Sequence, residues 1–141
     1  MREAFMTLGT MNHLCLTVKS LEQSEPFYDA ILGFMGYQQV EKNDIYIMWW
    51  LQDAGAIEIT VANPDSPNKF HDRYSPGFHH LAFNADSREQ VDNLYKLVQE
   101  MGATVLDPPA EYQYSPGYYA VFFADPDGLK LELVHMPVLP E

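Results

Sequence analysis

A chain of 141 residues, 47% of them hydrophobic, is the size of one ordinary domain or of two small units sharing a core, and it has enough apolar side chains to bury one. Its 20 acidic residues against 8 basic ones give a net charge of −12. That balance argues against nucleic acid and against anionic membrane surfaces as partners, because no basic patch is available to neutralise phosphates. The lone cysteine, Cys15, excludes an intrachain disulfide. The opening stretch MREAFMTLGTM lacks the apolar run of a signal peptide. Nothing approaches the roughly 20 apolar residues of a membrane span, so a soluble, cytoplasmic globular protein is expected.

In chain order, residues 10–18 read as a strand, and a helix follows with Phe27, Tyr28, Ile31 and Leu32 on its apolar face. Ser20 or Ser24 can cap it. Pro26 is tolerated only near a first turn, which favours Ser24 as the cap, or a kink there. Gly33 and Gly36 stop the helix, and strand-like runs follow near 34–41, 45–51 and 56–62. The segment 63–77, with three prolines and no periodicity, reads as a linker.

The order then repeats. A strand at 78–85 leads to a helix capped by Ser87, with Gln90 three residues on and Val91, Leu94, Leu97, Val98 and Met101 on one face. Gly102 stops it, and strands follow near 103–106, 118–124 and 129–135. The stretch 107–117 reads as a loop, whose Tyr112 and Tyr114 either line a substrate mouth or pack on their own surface. Each half is thus a βαβββ module, one over about 10–62 and the other over about 78–136, within a single domain of residues 1–141. Tyr28 and Tyr95 occupy equivalent places in the two helices, and Asp53 and Asp127 equivalent places before the last strand of each module.

Four residues carry the chemistry. His13 opens HLCLTV and His80 opens HLAFNA, spaced along the chain as Tyr28 and Tyr95 are. Glu58 lies in AIEITV and Glu132 in KLELV, spaced as Asp53 and Asp127 are. Strand alternation sets each of them opposite an apolar stripe: His13 against Leu14, Leu16 and Val18, Glu58 against Ile57, Ile59 and Val61, His80 against Leu81 and Phe83, and Glu132 against Leu131 and Leu133. Two imidazoles and two carboxylates on one face predict a site for one divalent transition metal, with positions left open for substrate. The N₂O₂ donor set suits Ni, Co, Zn, Mn or Fe equally.

Other candidates fall outside this set by parity or place. His79 shares a face with Leu81 and Phe83, so it is expected against the helix layer or behind a ligand. His71 is expected at the linker surface, and His135 lies on the face opposite Glu132. Cys15 shares the face of His13 and reads as a small hydrophobe near the site. Thr60 and Asn84 share the ligand face as candidate substrate contacts, and Tyr119 is a candidate proton donor.

The segments MNHLCLTV, SEPFYDAILGF, GFHHLAF and FFADPDGLKLELV resemble the vicinal oxygen chelate superfamily, which includes glyoxalase I, bleomycin-resistance proteins and extradiol dioxygenases. The resemblance runs over about residues 10–136, and DPDG followed by a strand ending in glutamate is its most specific part. It implies an α+β fold in which two βαβββ modules form a cupped, barrel-like mixed sheet with helices on the outer face. It places the family's ligand positions on His13, Glu58, His80 and Glu132, as in the glyoxalase I branch. It also implies a homodimer acting on a small-molecule substrate.

The chemistry so implied is that of a metal-dependent lyase or isomerase. The substrate offers two adjacent oxygens and passes through an enediolate, with Glu132 or Glu58 as the catalytic general base. One alternative is an Fe(II) extradiol-type dioxygenase using His13, His80 and Glu132 with Glu58 dispensable. The other is a metal-free drug- or metabolite-binding protein.

Overall fold

The alternation of apolar and polar residues in HLCLTV forms strand β1 (His13–Val18), with Leu16 and Val18 buried on one side and His13, Cys15 and Thr17 exposed on the other. The coordinates form a computed structural model that describes residues 7–137. Of the opening stretch weighed as a leader, residues 1–6 lie outside the described residues. The chain divides between Lys69 and Phe70 into two compact units, each holding one βαβββ module.

In the first unit, α1 (Leu21–Phe34) follows β1, then β2 (Gln38–Lys42), β3 (Tyr46–Leu51) and β4 (Gly55–Val61). The sheet order is β1-β4-β3-β2, with β1 parallel to β4 and the other pairs antiparallel. Phe27, Tyr28, Ile31 and Leu32 of α1 are buried, as are Ile47, Trp49, Ile57 and Ile59 of the sheet. The Trp49 indole donates to Asp29 at 3.0 Å, and its ring lies 6.2 Å from that of Tyr28. Burying each side chain of this size stabilises the unit by roughly 1.5–3 kcal/mol.

The cap of α1 is Ser20, not Ser24. Ser20 is extended (φ −143°), and its side chain accepts from the Gln23 N–H at 3.2 Å. Ser24 already sits in the helix, its N–H donating to the Ser20 carbonyl at 3.0 Å, and Pro26 lies inside the same helix. The proline removes one backbone hydrogen bond, a loss outweighed by burial of the apolar face around it. The helix also runs through Gly33 to Phe34 and turns only at Gly36 (φ +97°), so the second strand starts at Gln38 rather than near residue 34.

In the second unit, β5 (His80–Asn84) leads to α2 (Arg88–Glu100), β6 (Thr104–Glu111), β7 (Tyr119–Ala124) and β8 (Lys130–His135). The order β5-β8-β7-β6 repeats the first module, with β5 parallel to β8. Ser87 caps α2 as predicted, accepting from Gln90 N–H at 3.2 Å. Val91, Leu94 and Val98 of the helix and Val121, Phe123, Leu131 and Leu133 of the sheet form the core. The predicted loop at 107–117 is in part strand: β6 continues to Glu111 across Asp107, Pro108 and Pro109 with irregular register. An edge strand tolerates this, because a proline there gives up no obligatory ladder bond.

Candidate metal centre

Both modules place histidine and glutamate by the same register. In the first, His13 pairs with Ala56 and Cys15 with Glu58; in the second, His80 pairs with Lys130 and Ala82 with Glu132. Each glutamate is therefore the diagonal neighbour of its histidine on the adjacent parallel strand, on one face of one sheet. A close approach fixes the first register. The Ala56 N–H donates to the Asn12 carbonyl at 3.1 Å, and a Cβ on Gly55 (φ +106°) would fall 2.7 Å from that oxygen. In the second, the buried Asp125 carboxylate accepts from Asp127 N–H at 2.9 Å and Leu129 N–H at 2.8 Å, closing the DPDG turn with Gly128 at φ +86°. That turn delivers β8, and with it Glu132, in register.

In the second module the pair meets. His80 Nε2 lies 3.1 Å from Glu132 Oε1, and Glu132 is 1% exposed. The Tyr118 hydroxyl donates to the other oxygen, Oε2. Burial, then that hydrogen bond and the carboxylate charge, push the Tyr118 phenol well above its ordinary range. Among the described residues no lysine or arginine lies within ion-pair distance of Glu132. Glu132 Oε1 accepts from the His80 Nε2–H, and on the other side of the ring His80 Nδ1 lies 2.7 Å from His79 Nδ1. A buried carboxylate compensated only by an imidazole and a phenol, with the imidazole held from behind, is a donor set that suits a divalent cation.

The first module is arranged differently. His13 Nδ1 faces the Asn12 side-chain oxygen at 2.8 Å, and Glu58 takes the hydrogen of the Cys15 thiol. Partial desolvation of the sulphur, then that bond and the Glu58 charge, push the thiol up to about 11. Among the described residues no group of three or more His, Cys, Asp and Glu side chains is gathered as a metal-holding cluster. In the second module His80 meets Glu132 and His79, and in the first Cys15 meets Glu58.

The other candidates are placed as follows. His79 is exposed, not packed under the helix; it precedes β5, where strand alternation is not imposed, and it touches His80. His135 Nδ1 meets the Ala85 carbonyl at 3.2 Å and links strands. The Thr60 hydroxyl donates to the Ile45 carbonyl at 3.1 Å, and Asn84 is exposed. Tyr119 turns to the helix side, donating to Asp92 at 2.6 Å with the Arg88 guanidinium 4.7 Å over its ring.

Tyr118 is the residue that sequence reasoning missed. Its parity with Phe122, which pairs with Glu132 across the β7–β8 ladder, was the available signal. Tyr112 and Tyr114 stack on each other (centroids 5.5 Å apart, planes 4° apart), and Tyr114 stands edge-on to Tyr118 at 5.1 Å. Tyr112 and Tyr114 also line an open pocket of about 390 Å³ formed by residues 111–117.

The sequence model of the Glyoxalase/Bleomycin resistance protein/Dioxygenase superfamily matches residues 10–133. YqjT of Bacillus subtilis is 34% identical over 125 residues, 88% of this chain and 97% of that protein. A protein named glyoxylase I 4 from Arabidopsis thaliana is 25% identical over 133 residues, 94% of this chain and 74% of its own. A crystal structure of a Bacillus halodurans protein described as a glyoxalase is 29% identical and superposes with a TM-score of 0.80, covering 92% of this chain and 97% of that one. With its paired modules in common register, the chain belongs to the Glyoxalase/Bleomycin resistance protein/Dioxygenase superfamily.

Proposed function

We propose that this protein is a metal-dependent lyase or isomerase of the glyoxalase type, acting on a small metabolite with two adjacent oxygens. The ligand set is His80 and Glu132 together with the equivalent pair His13 and Glu58, supplied by the same chain or by a second copy in a homodimer. The observation that carries the reading is the buried Glu132 carboxylate beside His80 at 3.1 Å. A buried carboxylate without a cationic side chain costs several kcal/mol unless its charge is compensated, and a divalent cation compensates it.

When bound, the cation supplies Lewis acidity at the two substrate oxygens and lowers the energy of the charge that develops on them. The protein's own residues do the rest. Tyr118 holds Oε2, so Oε1 is the oxygen of Glu132 that faces His80. As general base, Glu132 removes a proton from the carbon beside the substrate carbonyl and returns it to the neighbouring carbon. Glu58 is the corresponding group of the first module. His79 fixes the ring of His80 through Nδ1. Tyr112 and Tyr114 flank the approach.

Metal content by mass spectrometry, on native protein and on His80→Ala, tests the proposal. About one transition metal per chain, lost in the variant, supports it; nickel, cobalt, zinc or manganese fits a lyase or isomerase. Iron with oxygen uptake on catechols points instead to ring cleavage. No metal after reconstitution overturns the catalytic reading and leaves a binding protein on the same fold. Sedimentation of the metal-loaded protein tests the proposed homodimer.

A further inference from the structure

On the face of the second sheet that carries Glu132, the surroundings of the carboxylate are apolar. Phe122, its register partner, and Val134 are buried there, and Leu106, Tyr112, Tyr118 and Met136 pack against them partly exposed. The aromatic rings form one connected patch. Tyr112 stands edge-on to Phe122 at 5.5 Å and to Tyr118 at 6.4 Å, and Tyr114 lies parallel to Tyr112. Tyr118 joins the patch to the carboxylate: its hydroxyl donates to Glu132, and its ring meets Tyr114 at 5.1 Å.

Packing of the sheet does not require Tyr114. It is 70% exposed, so most of its surface stays open although the loop that carries it is fixed. The Tyr112 N–H donates to the Tyr118 carbonyl at 3.0 Å, and the Tyr118 N–H to the Ser115 carbonyl at 3.2 Å. Gly117 (φ +74°) sits so close to Pro137 that a Cβ there would fall 2.7 Å from its ring. The rings are therefore set in place before any ligand arrives, which lowers the entropy cost of binding. Charge narrows the ligand further. Residues 107–117 include no lysine or arginine. The cation that reaches this stretch, Arg88, is taken by Glu111, and the Lys130 ammonium lies over Phe122, 4.5 Å from its centroid.

We infer that Tyr112, Tyr114 and Tyr118 form a subsite for an uncharged aromatic ring, carried by the ligand whose polar end meets His80 and Glu132. Aromatic side chains around a few convergent polar groups are the usual lining of small-molecule sites. A ring is favoured over an aliphatic group of the same size because offset-stacked and edge-to-face contacts add to the area buried. Tyr118 touches both the patch and the carboxylate, so ring and polar end are joined without a long spacer. The ligand class is then an aryl group bonded directly to the carbons that bear the polar atoms. That those atoms are two adjacent oxygens rests on the reading given under Proposed function; the ring subsite does not.

The test is a titration of metal-free protein with phenyl hydroxymethyl ketone, followed by NMR of the tyrosine rings. Saturable shifts at Tyr112, Tyr114 and Tyr118 are expected, with binding at least about tenfold tighter than that of methyl hydroxymethyl ketone. The phenyl ketone should also bind about two- to tenfold tighter than its cyclohexyl counterpart. Tyr114→Ala should remove that preference and Tyr114→Phe should keep it; the side chain is exposed, so neither variant should disturb the fold. No saturation, equal or tighter binding of the cyclohexyl ketone, or equal binding by wild type and Tyr114→Ala overturns the inference. Zinc-loaded protein then separates this subsite from the proposed chelation. Zinc that tightens the phenyl and methyl ketones with no preference for the ring upholds chelation and refutes the subsite. A preference for the ring that zinc leaves unchanged upholds the subsite and refutes chelation.

Discussion

Tyr118 donates its phenolic hydrogen to Glu132 Oε2, the oxygen that His80 leaves free. The carboxylate is buried, so both of its oxygens depend on these two side chains. Tyr118→Phe leaves one of them unsatisfied in a place water does not readily reach. We expect it to destabilise the metal-free protein by about 1–3 kcal/mol, read as a lower urea midpoint at unchanged slope. Equal stability in the two proteins would show that the hydrogen bond contributes nothing.

Cys15 offers a clean titration, since it is the chain's single cysteine. Its thiol pKa is raised to about 11, so in metal-free protein the thiolate is scarce at neutral pH and appears only as pH approaches that value. The rate of alkylation should therefore rise through a midpoint near 11. Glu58→Gln removes the hydrogen-bonding carboxylate and should move the midpoint down toward the ordinary thiol range. The folded pKa exceeds the unfolded one, so any stability linked to this group is present below the unfolded value and is lost as pH rises toward 11.

The two serines at the start of α1 give opposite expectations. Ser20→Ala removes the cap to Gln23 and should cost about 1 kcal/mol. Ser24 is buried with an unpartnered hydroxyl, so Ser24→Ala should be neutral or slightly stabilising. Thermal melts of the two variants decide it: a larger loss in Ser24→Ala would restore Ser24 as the cap.

Gly128 and Phe70 should be coupled. Gly128→Ala puts a side chain at φ +86° and into the Phe70 ring. The backbone term alone costs about 1–2 kcal/mol. Phe70→Ala should relieve the collision but not the backbone term, so the double variant should lose less than the sum of the singles. Strict additivity in a denaturation cycle would separate the 70–77 segment from the DPDG turn.

Much of the fold was legible in the sequence. The alternation in HLCLTV and HLAFNA, the helix period of 91–98 and the matched spacings of His13 with His80 and of Glu58 with Glu132 suffice for two βαβββ modules, because strand and helix periodicity are properties of the backbone itself. The same alternation placed His13, Glu58, His80 and Glu132 on one face of their sheets, and the ladders agree. The family followed from segments that the backbone needs, above all the turn DPDG, whose aspartate binds its own backbone.

What remained depended on neighbours distant in sequence. Ser20 rather than Ser24 caps α1 because burial of Phe27, Tyr28 and Ile31 carries the helix through Pro26, a balance local propensity does not contain. The prolines of β6 are strand because that strand is an edge. Tyr118 reaches Glu132, and Cys15 takes Glu58, through side-chain choices made among several available partners. His71 and Phe70 reach the turn at Asp127 and Gly128 because the linker folds back onto it. Periodicity fixes which face a residue occupies; only the tertiary structure decides which groups on that face meet, because hydrogen bonds and charges act over a few ångströms and the chain brings them there from far apart.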